Sequence, residues 1–164
     1  MKKITVIAAL LLCLAMGMSA CTSYRNDVAV NDITTEILNA VSTQGGYTAM
    51  DDLYLSLEFD HPELIEEKVS DWTICASNSL TTVDEFGIFH VKDEKDLDAI
   101  KAEVEIYVQA QKVKLEVFLE NYAPEEKTKL ENAQVFVFGN YVVFTMLTEQ
   151  DTASAKTAIQ DALK

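Results

Sequence analysis

Few side chains in this sequence have the types and spacing that nucleophilic catalysis requires. A nucleophilic Ser, Cys or Thr needs a base within hydrogen-bond reach, but the chain of 164 residues contains only two histidines and no G-x-S-x-G motif. His90 lies in the strand-like segment FGIFHV, and His61 directly precedes Pro62. We interpret His90 as a strand residue and His61 as a turn residue. The sequence therefore predicts no catalytic residue and favours a protein that is not an enzyme.

The cysteine in the segment WTICAS offers a second chemistry, that of a redox-active thiol. A reactive thiol is exposed and lies near positive charge, whereas the charged residue nearest to Cys75 in the sequence is Asp71, directly before this segment. A free cysteine in an apolar strand is most often a small core residue. We expect Cys75 to be buried and unreactive.

Acidic residues are abundant, and their densest cluster is DEKDLD at residues 93–98. Calcium loops place a glycine at their bend, but this cluster has none and Leu97 interrupts it. Its acids suit the start of a helix, where the helix dipole favours negative charge. No pair of His or Cys has zinc-ligand spacing. We therefore expect no metal site and no cofactor. A pair of glycosidase carboxylates comes together only in the fold, which leaves a surface hydrolase using dispersed carboxylates as the alternative function.

The start of the chain has the pattern of an export signal. Met1, Lys2 and Lys3 precede an uncharged stretch over residues 4–20, and the residues MSAC at 18–21 resemble the bacterial lipobox. We therefore expect residues 1–20 to be a lipoprotein signal peptide and Cys21 to carry a diacylglyceryl group. The two acyl chains of such a group give stable anchoring. The alternatives are an ordinary signal peptide and an anchoring helix. For an anchoring helix, the apolar run is slightly short of the ~20 residues that span a bilayer.

The charge balance indicates which partners the exported domain can have. Without residues 1–20 the chain keeps 11 basic residues against 27 acidic ones, a formal net charge of −16. This charge repels phosphate backbones and anionic lipids. We therefore expect no nucleic-acid partner and expect the membrane to be reached through the lipid on Cys21. A protein or cell-envelope partner remains open.

Periodicity and turn residues predict one α+β domain. Residues 21–31 show no period and are predicted to be a tether, and residues 32–164 are predicted to form the domain. In residues 50–59 a strand-like alternation competes with a helical pattern, and we favour the helix. The predicted strands form two hairpins, the second around Gly139-Asn140. We expect an antiparallel sheet with helices packed on one face. Helices are predicted over 32–41, 50–59, 62–68, 97–122 and 151–163 with a short turn over 125–132, and strands over 72–76, 85–91, 135–138 and 141–146.

Several of these segments together resemble a known family. They are the lipobox at Cys21, the strand-to-helix passage EFGIFHVKDEKD, the end of the long helix at Tyr122-Ala-Pro124, and the hairpin GNYV at 139–142. Over residues 50–164 the sequence resembles domain-of-unknown-function family 4358, whose members are small lipoproteins, mostly of Gram-positive bacteria. The resemblance implies that Cys21 anchors the domain to the outer face of the cytoplasmic membrane. It implies no activity, and His90 stands where a lysine is expected in this family.

Overall fold

A computed structural model describes residues 23–42, 46–79 and 81–164. Short 3-10 turns precede two of the helices, at Glu94–Asp96 and Pro124–Glu126. The helices are α1 (Val30–Ala40), α2 (Asp52–Glu58), α3 (Pro62–Lys68), α4 (Leu97–Tyr122), α5 (Lys127–Glu131) and α6 (Glu149–Ala162), and the strands are β1 (Tyr47–Ala49), β2 (Val69–Ser77), β3 (Glu85–Val91), β4 (Gln134–Phe138) and β5 (Tyr141–Met146).

The five described strands form one antiparallel sheet in the order β1-β2-β3-β5-β4. The α+β class and both predicted hairpins, β2 with β3 and β4 with β5, are confirmed. Strand β1 was not predicted, because its three residues carry no alternating pattern and only Tyr47 is partly buried. The favoured helix over residues 50–59 is confirmed as α2.

Helices cover both faces of the sheet, so the prediction that they pack on one face is wrong. One face of the sheet, the front face, is covered by α2, α3, α4 and α5. The opposite, back face is covered by α1 and α6. The cause lies in the two central strands, whose alternate side chains are buried on opposite sides. Phe89 and Phe144 belong to the front core, while Ile88 and Val143 belong to the back core. A sheet that is apolar on both faces needs cover on both.

The segment expected to act as a tether is packed on the domain from Tyr24 onward. The Tyr24 ring lies edge-on to Phe138 with centroids 5.5 Å apart. The Asn26 side chain accepts a 2.8 Å hydrogen bond from the backbone N–H of Asn140. Folded structure therefore begins before residue 32, and the predicted boundary is corrected to residue 24. Cys21 and the predicted signal peptide lie outside the described residues.

Helix α4 begins at Leu97, within the acidic cluster at residues 93–98, as predicted. The Asp93 side chain accepts a 3.3 Å hydrogen bond from the backbone N–H of Lys95, but the Asp96 side chain makes no capping bond. Ala123, which precedes Pro124, adopts a non-helical conformation and ends the helix. Across residues 23–42, 46–79 and 81–164, no helix combines the length and apolar character that crossing a membrane requires.

Candidate functional site

A polar cleft of about 940 Å³ opens at the end of the sheet where β3 begins and β5 ends. Its walls are the loop between β2 and β3, the first residues of the 124–131 helical segment, and the beginning of α6. Hydroxyl and carboxyl groups dominate the lining. The lining residues are Ser42, Ser79, Thr81, Thr82, Asp84, Glu125, Glu126, Lys129, Thr148, Glu149, Gln150, Asp151 and Ala153.

Lys129, the only cation among the described residues of this lining, is held by two carboxylates. Its ammonium nitrogen lies 2.7 Å from Asp84 Oδ1 and 2.8 Å from Glu126 Oε2, and it donates a 3.0 Å hydrogen bond to Thr82 Oγ1. No side chain of this ion triad, Asp84, Glu126 and Lys129, is more than 19% exposed. Lys129 therefore has no free charge to offer a ligand.

Glu126 also joins the β2–β3 loop to the α5 segment. Its Oε2 atom accepts a 2.6 Å hydrogen bond from the Thr82 hydroxyl and a 3.1 Å bond from the Val83 backbone N–H. Burial raises the pKa of Glu126, but the hydrogen bonds from Lys129, Thr82 and Val83 outweigh it and lower the pKa below its ordinary value. Glu126 is therefore ionised near neutral pH and a weak base toward the Thr82 hydroxyl.

The opposite wall of the cleft is built by the helix cap of α6. Thr148 accepts a 3.1 Å hydrogen bond from the backbone N–H of Asp151, and its hydroxyl donates a 2.8 Å bond to Asp151 Oδ2. Asp151 Oδ1 in turn accepts a 3.0 Å bond from the Ser42 backbone N–H. Both oxygens of Asp151 are therefore occupied within the protein.

Two rim carboxylates remain available to a ligand. Glu125 and Glu149 are exposed and line the cleft. Neither has a hydrogen-bond or ion-pair partner among the described residues. The described lining residues include five carboxyl groups and one ammonium group, which give a formal charge of −4 when ionised. Such a lining attracts cations and repels anions.

Outside the cleft, Glu85 is the carboxyl group whose pKa is raised most clearly. It is 8% exposed at the start of β3. Tyr107 donates a short hydrogen bond to it, and Tyr54 a longer one of 3.4 Å. Burial raises the pKa of Glu85 to about 7 against the lowering effect of these bonds. Sequence reasoning missed Glu85, although a single acid opening the apolar strand EFGIFHV was a usable signal.

The other residues considered for chemistry lie apart from the cleft. Cys75 is 3% exposed on the back face, and burial raises the pKa of its thiol, so the prediction of a buried cysteine is confirmed. The His90 ring stacks on Tyr141 with centroids 4.5 Å apart. His61 precedes α3, as the turn interpretation expected, and its backbone N–H donates a 2.8 Å hydrogen bond to Glu103.

Two acids of the cluster at residues 93–98, which lies at the start of α4, form ion pairs with lysines. Asp93 pairs with Lys95 at 2.6 Å, and Asp96 lies 3.8 Å from Lys68. Within the described part of the chain, no group of three or more His, Cys, Asp or Glu side chains could hold a metal ion. The interpretation of this cluster as a helix start is confirmed.

Fold and cleft together define a small α+β domain, in which helices cover both faces of an antiparallel sheet and an acidic cleft lies at one end of it. A family model with the description "Domain of unknown function (DUF4358)" matches residues 63–147, and the chain belongs to this family. The matched residues contain β2 to β5, all of α4 and the ion triad. No curated protein and no solved structure matches the chain.

Proposed function

We propose that this chain is a lipoprotein anchored through Cys21 on the extracytoplasmic face of the cell membrane, and that its domain is a non-enzymatic binding module. The ligand of the acidic cleft carries positive charge. The observation that carries this assignment is the state of the charges in the cleft. Lys129 is neutralised by Asp84 and Glu126, whereas Glu125 and Glu149 face solvent without partners among the described residues.

The geometry of the titratable groups supports a binding role over hydrolysis. A general acid needs a pKa near the working pH and must reach its substrate. Glu85 meets the first condition, with a pKa of about 7. It fails the second, because it is buried beneath Tyr54 and Tyr107 and does not line the cleft. The cleft carboxylate Glu126 has the opposite property, since its pKa is lowered.

The residues that precede the folded domain support the lipid anchor at Cys21. The lipobox residues MSAC place Cys21 after an uncharged stretch with a basic start. A net charge of −16 without residues 1–20 opposes electrostatic attraction to anionic membranes. Two acyl chains on Cys21 provide the attachment that the acidic surface does not.

Mass spectrometry of the chain isolated from bacterial membranes tests the anchor. We expect the mature chain to begin at Cys21 with a diacylglyceryl group, and the Cys21→Ala variant to leave the membrane fraction. An unmodified chain that begins at another residue would contradict the anchor.

Calorimetric titration of the full lipidated chain in detergent micelles tests the ligand class. We expect trilysine to bind and triglutamate not to bind. In the Glu125→Gln/Glu149→Gln variant, trilysine should bind about fivefold more weakly, the effect of losing two exposed ion pairs of about 0.5 kcal/mol each. The matched control is Glu94→Gln, because Glu94 is exposed and does not line the cleft. Equal trilysine affinity in both variants, or no binding, would contradict the proposal. Cleavage of wall-derived glycans or peptides by the same preparation would favour the hydrolase alternative.

A further inference from the structure

We propose that one edge of the domain rests against the lipid headgroups and that the acidic cleft therefore points away from the membrane. This anchor edge consists of Tyr24–Asn26, the β4–β5 turn at Gly139–Asn140, and Leu163–Lys164 after α6. The inference rests on the proposed lipid attachment at Cys21. It adds an orientation, which follows from how the start of the chain is fixed to the fold.

Within the anchor edge, the residues that follow the proposed attachment site are bound to the rest of the fold at several points. The backbone N–H of Arg25 donates a 2.9 Å hydrogen bond to the carbonyl of Leu163. Asn26 accepts from the backbone of Asn140 at 2.8 Å, and the Tyr24 ring packs edge-on against Phe138. The chain therefore leaves the fold from a defined place.

Two further contacts fix the segment that precedes α1. The Tyr141 hydroxyl accepts a 3.0 Å hydrogen bond from the Val28 backbone N–H and donates a 2.7 Å bond to the Val28 carbonyl. The β4–β5 turn approaches Asn26 so closely that a Cβ atom at Gly139 would lie 2.3 Å from Asn26 Oδ1. Gly139 also has a φ of +54°, which glycine adopts readily. The turn and the segment are thus fitted to each other.

The length of chain between the lipid and the fold limits how the domain can turn. Cys21 precedes Tyr24 by three residues, and three fully extended residues span at most ~11 Å. A domain of this size has a radius of gyration of about 14 Å. Because the connection is shorter than this radius, the anchor edge stays next to the bilayer surface.

Three elements run from the anchor edge to the cleft and place the cleft at the far end. Helix α6 begins at the cleft wall and ends beside Arg25; its 14 residues span about 21 Å. Strand β3 begins next to Asp84 and ends at Val91, whose backbone N–H donates to Asn140 at 2.8 Å. Strand β5 begins after the turn and leads to Thr148. The cleft is therefore open to the side facing away from the membrane.

Fluorescence energy transfer to a headgroup-labelled lipid tests this orientation. The lipidated chain, with Cys75→Ala, is placed in phosphatidylcholine vesicles and carries one label through Lys164→Cys or Gln150→Cys. Both residues are exposed and lie at opposite ends of the same helical segment. Transfer should be at least about twofold more efficient from position 164, because α6 separates the labels by about 20 Å. Insertion of about 20 Gly/Ser residues between Ser23 and Tyr24 should remove the difference, since such a linker spans ~25 Å on average.

Each failure of this experiment has a separate meaning. Equal transfer from both positions in a chain that mass spectrometry shows to be lipidated overturns the orientation alone. Strongest transfer from a label placed by Val117→Cys also overturns it, since it would put the exposed apolar face of α4 on the membrane, where Val117 is 69% exposed. A chain that is not lipidated and does not sediment with the vesicles overturns the proposed function itself.

Discussion

Tyr107 donates a hydrogen bond to the carboxyl group of Glu85 inside the front core, and its hydroxyl also lies 2.8 Å from that of Tyr54. The Glu85 carboxyl group is thus held by two phenols from different helices. Glu58 and Lys114 act on it from farther away with opposite effects on its pKa, and they pair with each other at 2.7 Å. Glu85 therefore titrates in the core without a cation of its own.

The stability of the domain should fall as pH rises through neutrality. The pKa of Glu85 is about 7 in the fold against an ordinary value of 4.5. The folded state thus binds this proton more tightly than the unfolded state. The contribution of protonated Glu85 to the free energy of unfolding is fully present below pH 4.5 and is lost as pH rises through 7. Between pH 5 and 8.5 the free energy of unfolding should decrease by about 2 to 3 kcal/mol, measured by urea denaturation.

The Glu85→Gln variant is the control for this titration. Its amide oxygen can still accept the hydrogen bond from Tyr107, but the side chain cannot ionise. Unfolding free energy in this variant should change much less over the same pH range. An equally steep decrease in Glu85→Gln would assign the pH dependence to other groups.

Removal of the Lys129 charge should destabilise the domain strongly. The Lys129→Met variant leaves Asp84 and Glu126 side by side in a little-exposed site without their cation. We expect a loss of about 2 to 4 kcal/mol in the free energy of unfolding. The comparison is Lys127→Met, because Lys127 lies 3.4 Å from Glu120 in an exposed pair and should cost less than about 1 kcal/mol. Similar losses in the two variants would contradict the structural role of the triad.

A methyl group at Gly87 should not fit the front core. Its Cβ atom would lie 2.3 Å from the ring of Phe144, which is fully buried on the neighbouring strand. The Gly87→Ala variant should lose about 1 to 3 kcal/mol of stability. In a Phe144→Leu background the same change should cost less, by about 1 kcal/mol or more. Equal costs in both backgrounds would show that the aromatic ring is not the obstacle.

Loss of the Tyr141 hydroxyl should release the segment that precedes α1. The Tyr141→Phe variant keeps the buried ring but removes the bonds to the Val28 backbone. We expect a cost of about 1 to 2 kcal/mol and faster hydrogen exchange at the Val28 amide. Tyr122→Phe is the matched control, since Tyr122 is 77% exposed and should change stability by less than about 0.5 kcal/mol. Unchanged exchange at Val28 in Tyr141→Phe would contradict the docking of this segment.

Local signals in the sequence were sufficient for most of the secondary structure. Pro62 starts α3 at the predicted residue, Gly139-Asn140 makes the predicted hairpin turn, and the residue before Pro124 ends α4. These features depend on backbone restrictions that act over a few residues. They are therefore readable without knowledge of the fold.

Features that depend on distant residues were not readable in the same way. Asn26 and Asn140 meet across more than a hundred residues, so local pattern alone predicts a tether for this polar segment without period. The ion triad joins Asp84 to Glu126 and Lys129 through the fold, and none of these residues stands out by local pattern. Helices on both faces follow from YVVFTM, whose six residues are all buried. A strand of six apolar or small residues without polar alternation is typical of burial on both faces.

The bonds between Tyr141 and Val28 also have a mechanical consequence for a chain held at its beginning. Tyr141 opens β5, which is flanked by β3 on one side and β4 on the other. A pulling force applied through the proposed lipid on Cys21 would reach this interior strand through the Val28 bonds, after the contacts of Arg25 and Asn26, and would there be shared between two ladders of backbone hydrogen bonds. The three-residue edge strand β1 would not carry that load. The Tyr141 hydroxyl thus connects the segment next to the proposed anchor to an interior strand that two neighbouring strands support.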